Sequence, residues 1–216
     1  GTYNITGSTD FTFSYTAGGS VSVLNPTGFI EYGIAGYENA GVRCGLFDFQ
    51  NGFFYEYDGK QLYAVRRSSV QQLSGTCLTT KNSNVISGDT CRFQDQLKVG
   101  DMIVIRGQSY KVTRITSQTE LNVQPKYRGT SQKGVVITKT VDTRIPQRDW
   151  NIDVADGSGP SGFTLNINNI QMAYFDYSWY GAGKIRFGFK DTKGRVRYCH
   201  EFVHNNILNE AYMRSG

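Results

Sequence analysis

The sequence is poor in the features that identify several common classes of protein. It has only four prolines, two tryptophans and two histidines, and no apolar run approaches the roughly 20 residues that cross a membrane as a helix. The apolar residues also lack the i, i+3, i+4 spacing of amphipathic helices. These absences argue against membrane insertion and against a helical fold.

The four cysteines give no sign of a metal ribbon. Cys44, Cys77, Cys91 and Cys199 show no CxxC spacing, which argues against a structural zinc site. Cys77 and Cys91 bracket a polar segment whose flanking strands are able to pair, so a disulfide between them stays open. We favour the simpler interpretation of four free, partly buried thiols.

Glycine and aromatic residues are abundant instead. The 25 glycines, 14 tyrosines and 13 phenylalanines, without helical spacing, predict an all-β protein. The net charge of +5 is diluted by interspersed acids, so we expect weak attraction to polyanions and no specific nucleic-acid partner. From the ends, GTYN and MRSG, without an initiator methionine, we expect a fragment of a longer protein.

Period-two alternation predicts antiparallel strands along most of the chain. Residues 174–204 combine this alternation with a tight connection at Asp191 to Gly194, which predicts a hairpin with an apolar inner face and basic outward positions. Residues 45–69 predict a meander through turns at Asn51-Gly52 and Asp58-Gly59.

The middle of the chain has a different rhythm. Short strands spaced at about eight to twelve residues predict a small β-barrel over residues 76–135. It would interrupt a jelly-roll-like antiparallel β-sandwich that consists of residues 1–75 and 136–216. After it, Pro146 is expected to open a short helical turn, and Phe163 to Ile167 to form a strand.

The sharpest chemical signal is the HEFVH sequence, a literal HExxH motif. On a helix, His200 and His204 would share a face and hold zinc while Glu201 activated a bound water. A strand would instead place both histidines and Phe202 on one face and Glu201 on the other. Only Glu210 follows as a further ligand, so we favour structural histidines over a zinc hydrolase, and no cofactor is expected.

Aromatic residues near the start of the hairpin suggest a second alternative. Tyr177, Trp179 and Tyr180 have rings that would stack on a sugar, which is typical of a carbohydrate-binding host-attachment module. Most such rings serve packing, and sequence cannot show the pair of close carboxylates that a glycosidase needs.

Residues 148–213 resemble a segment of large structural proteins of tailed phages and giant algal-type DNA viruses. The resemblance rests on W-N-x-D at residues 150–153, D-G-x-G-P-S-G at 156–162, W-x-G-x-G-x-x-R-x-G-F at 179–189 and H-E-F-x-H at 200–204. Residues 45–69 look like an earlier segment of the same proteins, and residues 98–129 resemble a small β module that recurs in viral structural proteins.

The resemblance implies a virion component and not an enzyme, with HEFVH as part of a structural signature. We therefore expect a protein located in the virion that takes part in capsid, vertex or tail assembly. Its expected partners are other virion proteins and further copies of itself, because repeated positions in a particle favour symmetric oligomers. A glycan remains the alternative ligand.

Overall fold

The structure, a computed structural model, describes residues 27–36, 40–178, 183–207 and 211–212. Within these ranges no helix is long and apolar enough to span a bilayer. Two short helical segments are present, α1 (Phe93–Gln96) and a one-turn 3-10 helix (Gln147–Asp149). The strands are β1 (Thr27–Ile34), β2 (Val42–Phe47), β3 (Gly52–Tyr57), β4 (Leu62–Gln72), β5 (Thr76–Thr79), β6 (Val85–Asp89), β7 (Met102–Ile105), β8 (Gln108–Ser117), β9 (Glu120–Gln124), β10 (Gln132–Val135), β11 (Ile137–Pro146), β12 (Gln171–Ser178), β13 (Lys184–Lys190) and β14 (Val196–Val203).

The strands form two antiparallel sheets. The smaller sheet has the order β1-β12-β13-β14, and the larger one has the order β10-β5-β6-β9-β8-β7-β11-β4-β3-β2. The four-stranded sheet packs on the β11-β4-β3-β2 end of the larger sheet, and inward side chains of both sheets share one core. The predicted all-β antiparallel sandwich is therefore confirmed.

Aromatic rings fill the space between the two sheets. Phe53 and Tyr55 on β3 face Phe175, Phe187 and Phe189 on the opposite sheet, and all five are fully buried. The ring of Tyr55 lies 4.6 Å from that of Phe189 and 5.2 Å from that of Phe175, measured between centroids. This interdigitation explains the period-two aromatic pattern of the sequence.

The predicted meander of β2, β3 and β4 is confirmed, and aspartates shape both of its turns. The Asp48 carboxylate accepts the backbone N–H groups of Gln50 and Asn51 at 2.7 and 2.8 Å. Asp58 does the same for the two residues before β4. Asp48 and Asp58 thereby satisfy N–H groups that the strand ladder leaves without partners.

A β-bulge interrupts the predicted hairpin of β13 and β14. Phe187 pairs with His200 but Gly188 pairs with Tyr198, so Cys199 is an extra residue on β14. A Cβ atom on Gly188 would lie 2.7 Å from the carbonyl oxygen of Arg197, which shows why the bulge needs glycine there. The extra residue turns both Cys199 and His200 toward the core.

The residues between β4 and β11 have a core of their own. Apolar side chains of β5 to β9, α1 and the adjoining loops form a second cluster, separate from that of the sandwich. The outer strands β5 and β7 both pair with the segment of residues 132–139, through β10 and the start of β11. The strand order of the larger sheet runs from β10 to β2, and the small barrel and the division at residues 75 and 136 stay predictions.

One strand prediction was wrong. Residues 163–167 form no strand and contribute only an isolated bridge between Thr164 and Asp156. The alternating Phe163, Leu165 and Ile167 pack against the sandwich core from a loop instead. The helical turn after Pro146 is present, as the 3-10 helix.

Candidate functional site

The HEFVH motif lies on β14 and just beyond its end, in extended conformation. His200, Phe202 and His204 are 5%, 9% and 4% exposed, whereas Glu201 faces the other side of the sheet and pairs with Lys184 at 3.3 Å. The motif is therefore a strand with a buried and a solvent-facing side, as its period-two context indicates.

The His200 ring is held by the loop that follows the 3-10 helix (Gln147–Asp149). Its Nδ1 atom accepts the backbone N–H of Asn151 at 3.3 Å, and its ring lies edge-on to Phe202 with 4.7 Å between centroids. The Nε2 atom is buried and has no hydrogen-bond partner in the described part of the chain. Burial lowers the pKa of His200 to about 4, so the imidazole is neutral at pH 7.

His204 is stacked between aromatic and cationic groups. Its ring lies 3.8 Å from that of Tyr212, and Arg66 donates to its Nε2 atom at 2.8 Å. Its Nδ1 atom lies 3.1 Å from the carbonyl oxygen of Gly183, which fits a neutral imidazole that carries its proton on Nδ1. Burial first, and the nearby Arg66 charge second, lower the pKa of His204 to about 4.

This arrangement does not reproduce the zinc site of a helical HExxH motif. Residues four apart on a strand are separated by about 13 Å, whereas two ligand nitrogens must each lie about 2.1 Å from one zinc ion. Glu201 lies on the opposite face from both histidines. Among the described residues, no group of three or more His, Cys, Asp or Glu side chains is placed to hold a metal.

The W-N-x-D segment at residues 150–153 is hydrogen-bonded to the strand that carries the HEFVH motif. The Asn151 side chain pairs with the backbone of Glu201 in both directions, as donor and as acceptor, at 2.9 Å each. The N–H groups of Ile152 and Asp153 donate to the carbonyl oxygen of Cys199 at 3.1 and 3.0 Å. The W-N-x-D segment thus supplies hydrogen-bond partners to the backbone of β14, which gives both motifs a structural role.

Asp153 organises the glycine-rich loop that follows. Its carboxylate is 4% exposed and accepts the N–H groups of Ala155 at 2.8 Å and Ser161 at 2.9 Å. Burial opposes the charge, but the hydrogen bonds from Ser161 and Ala155 outweigh it and lower the pKa of Asp153. The loop is therefore fixed by an internal anion, and Asp153 occupies the space at Gly159 that a Cβ atom would need.

We expect Asp153→Ala to reduce the free energy of unfolding by about 3 kcal/mol, because two N–H groups lose their acceptor in a buried place. Urea unfolding followed by tryptophan fluorescence measures the change. Asp156→Ala is the matched control, since Asp156 also accepts a loop N–H but is exposed, and we expect a change within about 0.5 kcal/mol. Equal effects of the two substitutions would contradict the role of Asp153.

The structure separates the three predicted sugar-stacking residues. Tyr177 is 7% exposed, and its ring packs 4.8 Å from that of Phe53 in the sandwich core, so it offers no ring face to a sugar. Trp179 and Tyr180 lie outside the described residues. The alternation of side chains along β12 explains why Tyr177 is buried. Tyr177 is two residues from the buried Phe175, so both side chains point to the same face of the sheet.

The outer face of the four-stranded sheet carries a row of rings that the sequence reasoning missed. Phe29 on β1 stacks on Tyr174 of β12 with 5.9 Å between centroids, and Tyr174 meets Tyr198 of β14 edge-on at 6.1 Å. The Arg186 guanidinium lies 4.1 Å above the Tyr198 ring. We call Phe29, Ile170, Met172, Tyr174, Arg186 and Tyr198 the outer-face cluster.

Ion pairs neutralise the charges of this face. Arg186 binds the Asp176 carboxylate through two nitrogens at 2.8 and 2.6 Å, and the Tyr198 hydroxyl donates to the same carboxylate. The bond to Asp176 raises the pKa of Arg186. Glu31 pairs with Lys190, and Glu201 with Lys184. Three acids and three bases thus cancel, although the whole chain carries +5.

Apolar side chains of the outer-face cluster stand exposed beside these ion pairs. Phe29 is 54%, Met172 43% and Ile170 76% exposed. Ile170 covers the backbone of Gly33, where a Cβ atom would lie 3.5 Å from its Cδ1 atom. Large apolar groups gathered on one face of a sheet are typical of a contact surface. Alternation along β12 assigns Met172 to this face once Phe175 is known to be buried, whereas Phe29 is placed there only by the pairing of β1 with β12.

Comparison with known proteins adds little. No family model matches the chain, and no curated protein matches it. Among solved structures it is similar to the phage phi92 endosialidase, at 10% identity and a TM-score of 0.24, over 74% of this chain and 30% of that protein. The chain spans less than a third of that protein's length, and the resemblance of residues 148–213 to viral structural proteins stays a prediction.

Proposed function

We propose that the protein is a non-enzymatic structural module of a virus particle, and that it associates with further copies of itself through the outer-face cluster. The observation that carries the association is the group of exposed apolar side chains Phe29, Met172 and Ile170 on one sheet face. The assignment to a virion is supported by the resemblance described for residues 148–213.

A second copy is the partner that this face fits. Its carboxylates are each paired with a base on the same face, so two identical faces approach one another without net repulsion. Within the described residues, β1 is the outermost strand of its sheet, and antiparallel strands are self-complementary about a two-fold axis. Both features favour a symmetric contact that covers Phe29 and Met172.

The buried polar groups support a structural role and not a catalytic one. His200 and His204 are neutral at pH 7 and enclosed by protein groups, and Asp153 serves its own loop. Arg186 and Asp176 satisfy one another.

Analytical ultracentrifugation tests the proposal over a range of protein concentrations. We expect concentration-dependent dimers or larger oligomers of the wild-type chain, and monomers for the variant Phe29→Glu/Met172→Glu, since burying two carboxylates in the contact is costly. Val99→Glu is the matched control. Val99 is 65% exposed, but it lies in the region between β4 and β11, which has the second apolar cluster, and not on this sheet face.

Two results would contradict the proposal. One is a wild-type chain that stays monomeric at every concentration, and the other is equal dissociation by the Val99→Glu control. Saturable glycan binding by a monomer, lost in Phe29→Glu/Met172→Glu, would replace it with the carbohydrate-binding alternative on the same surface. Circular dichroism of each variant verifies that the sheet is retained.

A further inference from the structure

Two of the four cysteines lie against one another in the smaller core. The Sγ atoms of Cys77 and Cys91 are 3.7 Å apart, and both side chains are buried, at 3% and 5% exposure. Cys77 lies on β5, opposite Gly88 of β6, and Cys91 follows the turn after β6. Disulfide sulfurs are about 2.05 Å apart, so the two atoms need to approach by only about 1.7 Å.

Glycine at position 88 creates this proximity. A Cβ atom there would lie 2.2 Å from the Cys91 Sγ atom, which therefore occupies the space above the Gly88 backbone. The turn that brings Cys91 back is tight, because Thr90 has a φ of 55°. The Cys91 thiol then points at its neighbour and at the carbonyl oxygen of Thr76.

The other two cysteines have no comparable neighbour. Cys44 and Cys199 belong to the sandwich core, apart from the cluster that contains Cys77 and Cys91. All four are free thiols in this structure. A cross-link between Cys77 and Cys91 is therefore the one intramolecular disulfide that the described residues place within reach.

We propose that Cys77 and Cys91 form a cross-linking site that closes by exchange with a small disulfide such as glutathione disulfide. One thiolate attacks a sulfur of the oxidant and releases a glutathione thiolate. The second thiolate then attacks the resulting mixed disulfide and releases the other glutathione. The protein loses two protons and two electrons, and one glutathione disulfide becomes two glutathione molecules.

Burial determines when this exchange takes place. It raises the pKa of the Cys77 thiol, with the adjacent Cys91 as a second cause, and it also raises the pKa of Cys91. The thiolate is the reacting form, so it is scarce in the folded protein at pH 7. We therefore expect slow closure in the native state and fast closure during folding, while this part of the chain is open.

The cross-link would tie β5 to the segment that leads into α1. It closes a loop of about 15 residues and so removes conformations from the unfolded chain, while the native positions change little. The region between β4 and β11, with its separate core, would gain most, because small cores depend most on covalent ties. The site would thus make the stability of this region depend on oxidation.

Refolding from urea with and without a glutathione disulfide buffer tests the proposal. We expect the oxidised product to lose the mass of two hydrogens, to yield a linked peptide that contains Cys77 and Cys91, and to melt roughly 6–10 °C higher than the reduced protein. A product that keeps four free thiols, or that links another cysteine pair, would overturn the proposal.

Variants separate the cross-link from general effects of oxidation. Cys77→Ser and Cys91→Ser should each lose the mass change and the rise in melting temperature, whereas Cys44→Ser, in the other core, should retain both. Gly88→Ala keeps all four cysteines. When glutathione disulfide is added to the reduced, already folded protein, this substitution should slow closure at least tenfold, since the new Cβ displaces the Cys91 sulfur in the native geometry. A linked peptide from Cys77→Ser, or wild-type closure rates in Gly88→Ala, would refute the assigned geometry.

Discussion

Replacing Phe187 with alanine is expected to lower the free energy of unfolding by about 3–5 kcal/mol, the largest single effect that we anticipate. Phe187 is fully buried at the middle of β13, where its ring meets those of Phe175 at 5.1 Å, Tyr55 at 5.3 Å and Phe202 at 5.7 Å. Removing it leaves a cavity between the two sheets that the surrounding rings are too rigid to fill.

Urea unfolding at pH 7 measures this loss, and Phe29→Ala provides the control. Phe29 is the same residue type on the same sheet but is 54% exposed, so we expect a change of at most about 1 kcal/mol. The two substitutions also separate stability from association. Phe29→Ala should weaken self-association without loss of the fold. A Phe187→Ala protein that unfolds at the same urea concentration as the wild type would contradict a core shared by the two sheets.

Acidification from pH 7 to pH 4 is expected to remove about 3 kcal/mol of stability for each of the two histidines. His200 and His204 have a pKa of about 4 in the folded protein, against about 6.5 in the unfolded chain. Below pH 6.5 the unfolded chain therefore binds more protons than the native state. The stability is fully present above pH 6.5 and declines as the pH falls toward 4.

Carboxylates contribute mainly at lower pH, because Asp153 and Asp191 have pKa values lowered by their hydrogen bonds. The window between pH 6.5 and 4.5 therefore isolates the histidines. We expect unfolding free energies from urea titrations to slope with pH there, and the slope to vanish in His200→Gln/His204→Gln. Direct NMR titration of the wild-type imidazoles is a second measurement, and a pKa near 6.5 for either would refute the prediction.

The HEFVH motif shows which structural features the alternation of residues predicts and which it does not. Period two correctly placed HEFVH on a strand, with the histidines on the buried side and Glu201 on the other. It did not reveal the bulge at Cys199, because that depends on the close approach of Gly188 to the neighbouring strand. Nor did it reveal that Arg66 donates to His204, since Arg66 is 138 residues away in the chain. The stacking of Tyr212 on His204 depends on how the residues after β14 fold back, which period two does not describe.

The candidate surface was harder to predict than the fold. Tyr177 and Asp176 alternate in sequence, but only the packing of β12 on β3 decides which of them is buried by apolar contacts and which joins the outer face. Phe29 is separated from Tyr174 by most of the chain, and their stacking follows from the pairing of β1 with β12. The residue pattern of one strand does not predict which residues of another strand will lie beside it.

The sequence by itself determined that this protein is built of antiparallel strands, because the alternation of residues and the chemistry of turns are local properties. Asp48, Asp58 and Asp191 each accept backbone N–H groups within their own turns. Only the tertiary structure decided which rings are core and which form the outer face. It alone brought Cys77 to Cys91, and it turned an HExxH sequence into two enclosed, neutral histidines. These properties depend on contacts between distant strands, whose register is set by the whole core and not by any single stretch.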